Sequence, residues 1–135
     1  MPFEELDHTA DIMIRVRAAT LDELFSEAAE AMFSIMYQQC ADLGYNETIV
    51  TDGADLEELL HDFLSELLYV SEVKGVVFCR AAVSIRNSSL RATCSGEPFN
   101  PEKHIRGTEI KGISYSGLRI YKEQEAYVLD IIFDV

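Results

Sequence analysis

Features that would identify common protein classes are scarce or missing in this sequence. Cysteine occurs only three times, at Cys40, Cys79 and Cys94, and without C-x-x-C spacing. This pattern argues against a disulfide framework and a zinc site, and it favours a reducing cytosol. No apolar run reaches the roughly 18–20 residues that a membrane span requires. The acidic opening also lacks the basic and apolar regions of a secretory signal. We therefore expect a cytoplasmic protein whose cysteines are small core or loop residues.

Basic residues are also scarce, with 11 Lys and Arg against 24 Asp and Glu and a net charge of −13. Affinity for nucleic acid depends mainly on Lys and Arg side chains that neutralise phosphates, so no direct nucleic-acid binding is expected. An acidic surface suits a basic protein partner or metal ions, and solubility alone is its simplest explanation.

Familiar catalytic motifs are missing as well, because the chain contains no P-loop, G-x-G-x-x-G, G-x-S-x-G or H-E-x-x-H pattern. No Pro/Gly/Ser-rich linker or internal repeat interrupts the chain. Its 135 residues, 48% of them apolar, predict a single domain over residues 1–135 with its own hydrophobic core.

Two segments have helical periodicity and clear start signals. Thr20 and Glu23 form a capping box before an apolar stripe that runs from Leu21 to Met36. Asp55 and Glu58 repeat this signal before a second stripe, which extends through Leu68. Lys74-Gly75 then suits a helix C-terminus.

The remaining patterns predict strands. Residues 11–18 alternate between apolar and polar side chains, as a half-buried strand does. Further strands are predicted at Glu47–Thr51, Val76–Arg86, Ser89–Glu97, Glu109–Tyr115, Leu118–Lys122 and Ala126–Val135. Asn87-Ser88 and Ser116-Gly117 supply turns between neighbouring strands. This order predicts an α+β fold, with a mostly antiparallel β-sheet and two amphipathic helices packed on one face.

Carboxylates near both chain ends are candidate metal ligands. If the last strand is paired to its end, the carboxylate of Val135 is held beside Asp134, and the two groups repel unless a cation or hydrogen-bond donors compensate. A solvated acid is the simpler alternative. Near the other end, Asp7, His8 and Asp11 crowd the start of a strand. Such oxygens suit calcium or magnesium rather than zinc. His8 could instead act as an acid or base, or simply occupy a turn.

A third cluster combines His104, Glu109 and Lys111. In one strand, Glu109 and Lys111 would point to the same side, about 7 Å apart. Such a pair usually forms a salt bridge. Alternatively, Lys111 projects towards a partner or a nucleotide phosphate.

Seven blocks of the chain, in order, resemble the archease family. They are Asp7–Ile12, Thr20–Phe25, Ala28–Phe33, Leu64–Tyr69, Gly96–Pro98, Glu109–Tyr115 and Ile132–Val135. Family members often carry Ala and Thr where this chain has Gly112 and Ser114, and the segment Cys40–Asn46 matches nothing in the family that we can name.

The resemblance implies an activator of the GTP-dependent tRNA-splicing ligase of the RtcB type, which promotes ligase guanylylation and multiple turnover. It implies a metal site at Asp11, Asp134 and Val135, with calcium the expected ion and magnesium the alternative. The family's essential lysine corresponds to Lys111, with Glu109, His104 and His8 as expected neighbours in function. GTP would be used by the ligase and not bound here.

Such an activator would have no catalytic activity of its own. Two other functions stay open. One is a small hydrolase that uses His8 with Asp7 or Asp11, and the other is a metal-free chaperone or adaptor.

Overall fold

Both predicted helices form and begin at the predicted caps in the computed structural model, which describes residues 3–6, 11–38, 40 and 44–135. Helix α1 spans Leu21–Met36 and α2 spans Leu56–Lys74. The Glu23 N–H donates to Thr20 Oγ1 at 3.1 Å, and the Glu58 N–H donates to Asp55 Oδ1 at 2.8 Å. Each cap satisfies a backbone donor that the first helical turn leaves unpaired. Gly75 ends α2 in the left-handed conformation, with φ 63°.

The strands confirm the α+β prediction, but they form more than one sheet. In chain order the strands are β1 (Phe3–Leu6), β2 (Asp11–Ala18), β3 (Tyr37–Gln38), β4 (Tyr45–Asp52), β5 (Val76–Arg86), β6 (Ser89–Pro98), β7 (Ile105–Arg106), β8 (Gly112–Glu123) and β9 (Ala126–Asp134). Within the described ranges, a four-stranded sheet has the order β1-β2-β9-β8, a three-stranded sheet has the order β4-β6-β5, and β3 pairs with β7. The pairings are all antiparallel.

One strand prediction is wrong. The segments predicted as two strands around Ser116-Gly117 form a single strand, β8, whose register with β9 shifts between Ser114 and Arg119. Gly117 adopts φ 76°, which bends the strand without reversing it. Because β8 begins at Gly112, Glu109 and Lys111 precede the strand and do not share its pleat.

The two larger sheets and both helices enclose one hydrophobic cluster. Its largest fully buried side chains include Phe25, Phe63 and Phe133, contributed by α1, α2 and β9. The apolar residues of each helix recur every three or four positions, so one stripe of each helix enters this cluster. None of the helices in the described part of the chain is long and apolar enough to cross a membrane.

Helix side chains also bind the backbone of one outer strand in each large sheet, β5 and β8. Polar side chains of α1, spaced four residues apart, accept hydrogen bonds from three N–H groups of β5 at 3.0–3.3 Å; the acceptors are Asp22, Ser26 and Glu30. Glu57 of α2 accepts likewise from the Ile120 N–H of β8 at 3.0 Å. Covered edges are protected against pairing with other chains.

The cysteine prediction is also wrong, because Cys40 and Cys79 form a disulfide with a Cα–Cα distance of 5.6 Å. Cys79 lies where the β5–β6 register shifts between Phe78 and Arg80. An extra residue at such a bulge re-aims its side chain. Cys94 is free and buried, and its burial raises the pKa of the thiol to about 12.

Candidate functional site

Two of the predicted metal ligands, Asp11 and Asp134, are direct cross-strand partners. They lie opposite each other in the β2–β9 pairing, although more than a hundred residues separate them in the chain. Opposite residues of an antiparallel pair point to the same face, with Cβ atoms about 4.5–5.5 Å apart. Asp11 is half-buried and Asp134 is exposed. The fold therefore brings carboxylates from the two ends of the chain to one end of a sheet.

Strand β8 borders the same position from the other side. Gly112 is the partner of Asp134, and the Lys111 N–H donates to the Asp134 carbonyl at 2.7 Å. A Cβ atom at Gly112 would lie 3.7 Å from Asp134 Oδ2, so the glycine leaves open space beside this carboxylate. Val135 follows directly and is 37% exposed. Asp11, Asp134, Val135 and the main chain of Lys111 thus form one cluster, which we call the acid pair site.

A different carboxylate on the same sheet face is neutralised by arginines. Asp130 is buried and accepts hydrogen bonds from Arg15 Nε at 2.6 Å, Arg15 Nη2 at 3.1 Å and Arg119 Nε at 3.2 Å. Burial raises the pKa of Asp130, but the hydrogen bonds from Arg15 and Arg119 outweigh it, so the pKa is lowered. Asp134 lies roughly 13 Å further along β9. No basic side chain of the described residues forms an ion pair with Asp134.

The donor set of the acid pair site is small. The described residues contain no group of three or more His, Cys, Asp or Glu side chains that could hold a metal ion. The strand pairing brings two side-chain carboxylates together as donors, and Val135, the third predicted ligand, follows Asp134 directly. All are hard oxygen ligands, which fit calcium or magnesium and not zinc. Asp7 and His8, which sequence reasoning placed nearby, lie outside the described residues.

His104 belongs to a separate buried cluster. Its Nδ1 accepts a hydrogen bond from the Asn100 N–H at 2.9 Å, so in the neutral ring Nε2 carries the proton and donates to Glu97. Lys103 Nζ lies 2.8 Å from the same Glu97 oxygen. Hydrogen bonds from Lys103 and His104 outweigh burial and lower the pKa of Glu97. His104 is therefore held by Glu97, a buried partner that the candidate clusters from sequence did not include.

Glu109 and Lys111 are both exposed, and the expected salt bridge between them is not formed. Glu109 lines a cavity of about 190 Å³ together with Arg106 and Glu72. Lys111 instead borders the acid pair site through its main chain. Of the three residues grouped by spacing, only Lys111 lies beside Asp134.

These observations define a small α+β protein that brings carboxylates from distant parts of the chain to one end of an antiparallel sheet. Residues 3–135 match the model of the Archease protein family (MTH1598/TM1083). The chain therefore belongs to the archease family, as the resemblance predicted.

Individual relatives match over nearly the whole chain. Protein archease of Methanopyrus kandleri is 34% identical and covers 100% of both chains. Protein archease of Methanosarcina mazei is 38% identical over 98% of this chain and 95% of its own. The solution structure of Methanobacterium thermoautotrophicum protein 1598 superimposes with a TM-score of 0.83 at 26% identity, covering 99% of each chain.

A crystal structure from Thermotoga maritima, named as an archease and possible chaperone, has a TM-score of 0.70 and 20% identity. It covers 98% of this chain and 96% of its own, and at this identity it supports the fold alone.

Proposed function

We propose that this chain activates a GTP-dependent tRNA-splicing ligase of the RtcB type, by promoting guanylylation of the ligase and its multiple turnover. The chain would have no catalytic activity of its own, and GTP would bind to the ligase. Family membership supports the general role. The observation that carries the specific proposal is the direct pairing of Asp11 with Asp134.

In this proposal Asp11, Asp134 and Val135 hold one divalent cation, with calcium expected and magnesium the alternative. Two carboxylates on opposite positions of neighbouring strands repel each other, and like charges at such positions destabilise a sheet. A bound cation would offset this repulsion and supply positive charge at an otherwise acidic tip. Oxygen donors that are held by two paired strands need little reorganisation to bind it.

Lys111 would act next to this ion. Its N–H is tied to the Asp134 carbonyl, so the lysine is anchored beside the proposed ligands while its side chain remains exposed. The acidic surface would engage a basic surface of the ligase, since complementary charge favours association of two proteins. Glu109 and His8 stay proposed contributors to activation.

A ligation assay with the ligase of the same organism tests this role. Asp11→Asn and Asp134→Asn keep the side-chain size but remove the charge, so each should abolish most of the stimulation of multiple-turnover RNA ligation. Glu66→Gln, which removes the charge of an exposed acid on α2, is the matched control and should stimulate as wild type does. If Asp134→Asn stimulates as well as the control, the acid pair has no part in activation.

Calorimetric titration separates metal binding from activation. Wild type should bind calcium in a saturable way, whereas Asp134→Asn should lose at least tenfold in affinity. Absence of saturable heat with both calcium and magnesium would exclude the metal and favour a metal-free adaptor.

The hydrolase alternative depends on His8 and Asp7, which lie outside the described residues. Turnover of a generic ester by the purified chain, lost in His8→Ala, would favour it over activation.

We also propose a cytoplasmic location, as the sequence predicts. The Cys40–Cys79 disulfide runs against this location, because thiols of most cytosolic proteins are kept reduced. The redox state of this pair in cells is therefore a direct test of the location.

A further inference from the structure

Among the residues that the structure describes, the outer face of the three-stranded sheet carries mostly exposed side chains and only one acidic residue. Alternate residues of β4, β5 and β6 point away from the core on this face, and most of them are exposed. We call these residues the open face; they are Asn46, Thr48, Val50, Asp52, Arg80, Ala82, Ser84, Arg86, Ser89, Arg91, Thr93 and Ser95.

Three arginines give the open face a positive charge. Arg80, Arg86 and Arg91 are all exposed, and none of them forms an ion pair with a described residue. Asp52, at one end of β4, is the sole acid in the set. This composition is unexpected in a chain whose net charge is −13.

The acidic residues of the two helices lie outside the open face. Helix α1 carries four acidic residues and no basic one, and α2 carries five acidic residues against Lys74. Two acids of α1, Asp22 and Glu30, lie along the edge of β5, where they accept hydrogen bonds from the Ile85 and Ala81 N–H groups. They therefore flank the open face on the side of Arg86 and Arg80 without belonging to it. The core and the sheet separate the α2 acids from the arginines, and at 0.1 M salt interactions between exposed charges are largely screened beyond about 10 Å.

The three arginines are spread over a distance that several consecutive phosphate groups of one strand could span. Arg80 and Arg86 are six residues apart on β5, which corresponds to about 20 Å. Arg91 lies between them on β6, opposite Ser84 and one strand away. The paired residues Thr48 and Thr93 are of a kind that often contacts phosphate oxygens through hydroxyl groups.

The residue types on the open face favour a phosphate backbone over an acidic protein as the binding partner. Protein interfaces depend on buried aromatic and large apolar anchors, but Val50 is the one large apolar side chain in the set. The set also has no aromatic ring on which a base could stack. Arg, Ser, Thr and Asn supply contacts to phosphate and sugar that carry no sequence information.

We propose that the open face binds the phosphate backbone of a nucleic-acid strand without reading its bases. The proposal departs from the expectation based on net charge, because net charge averages over a surface whose charges are segregated. This inference goes beyond ligase activation, since it gives the chain a nucleic-acid contact of its own, and it does not depend on the acid pair site.

Binding of the chain alone to a labelled twelve-nucleotide oligouridylate at 50 mM salt tests the proposal. Three phosphate contacts to a single strand predict a slope of about −2 in log affinity against log salt, or a loss of roughly fifteenfold between 50 and 200 mM. An oligoadenylate of the same length should bind within about threefold, because no base contact is expected.

The triple substitution Arg80→Gln, Arg86→Gln and Arg91→Gln should weaken binding at least tenfold and remove most of the salt dependence. The control combines Arg17→Gln, Lys74→Gln and Lys122→Gln, which changes the net charge equally at exposed positions outside the open face. It should retain the wild-type salt slope. Circular dichroism should show that both triple variants are folded. The single substitution Arg91→Gln should reduce the magnitude of the slope of log affinity against log salt by about 0.7.

Three results would overturn the proposal. They are a wild-type chain that does not bind at 50 mM salt, equal loss in the two triple variants, and binding of polyglutamate that matches the oligonucleotide. The last result would assign the open face to acidic proteins. Since no ligase is present, none of these results bears on the activation assay.

Discussion

Gly112 lies directly beside the carboxylate of Asp134, and a Cβ atom at this position would stand 3.7 Å from Oδ2. That distance is an ordinary van der Waals contact. An alanine at this position would therefore fit beside Asp134 without displacing its carboxylate.

Gly112→Ala should therefore preserve the acid pair site. We expect calcium affinity and ligase stimulation within about twofold of wild type, and a gain in the free energy of unfolding of roughly 0.5 kcal/mol because the unfolded chain loses freedom. Gly96→Ala is the informative contrast, since its Cβ would approach the Val77 carbonyl oxygen to 2.1 Å. Denaturant unfolding should show Gly96→Ala strongly destabilised. A large loss of calcium affinity in Gly112→Ala would contradict the open space that the structure places beside Asp134.

Asp130 should make the stability of the sheet depend on acid pH. Arg15 and Arg119 hold the pKa of Asp130 below its unfolded value of about 3.9 despite the burial of the carboxylate. Its contribution is then fully present above about pH 5, and it is lost as the pH falls through the folded pKa. Asp130→Asn should lower the free energy of unfolding by about 2 kcal/mol at pH 7.

Urea unfolding of wild type and Asp130→Asn between pH 7 and pH 2.5 measures this dependence. The difference between the two proteins should shrink below pH 4. A difference that stays constant down to pH 2.5 would mean that Asp130 is not stabilised as a carboxylate. Asp52→Asn, at an exposed strand position, should change stability by less than about 0.5 kcal/mol throughout.

His104 should prove to be a structural residue. His104→Ala leaves the buried Glu97 carboxylate with Lys103 as its remaining charged partner, and the loss of a hydrogen bond to a buried carboxylate costs about 2 kcal/mol. We expect a large loss of stability with little change in calcium affinity, because His104 is held by Glu97 and not by the acid pair site. The double variant Glu97→Gln with His104→Gln should recover part of the loss. A stable His104→Ala protein with impaired ligase stimulation would instead support the functional role that the resemblance implied.

The Cys40–Cys79 disulfide should stabilise the chain by joining residues 39 positions apart. Closing a loop of this length contributes up to about 4 kcal/mol in the chain-entropy model. Cys40→Ser with Cys79→Ser should lower the midpoint of denaturant unfolding to that of the reduced wild-type protein. Dithiothreitol should then have no further effect on the double variant. Titration of the unfolded, unreduced wild-type chain should detect the one thiol of Cys94; three reactive thiols would show that the bond is absent.

Local features of the fold could be predicted from the sequence because their signals act within a few residues. The caps at Thr20 and Asp55, the end of α2 at Gly75 and the turn at Asn87-Ser88 were all recognised in this way. A capping bond or a left-handed residue depends on neighbours three or four positions away. Local sequence signals gave the wrong prediction around Gly117, because Ser116-Gly117 fits both a tight turn between two strands and a bend within one strand. The structure has the bend.

Sequence alone determined the two helices with their caps, most of the strands, and the candidate residues at the two chain ends. Only the tertiary structure decided that the strands divide into separate sheets, that Cys79 reaches Cys40, and that His104 is buried against Glu97. It also placed Asp11 opposite Asp134 and left three arginines together on the open face. Each of these arrangements depends on register and packing between segments far apart in the chain. Hydrophobic alternation tells which face of a strand is buried, but it does not say which strand lies alongside.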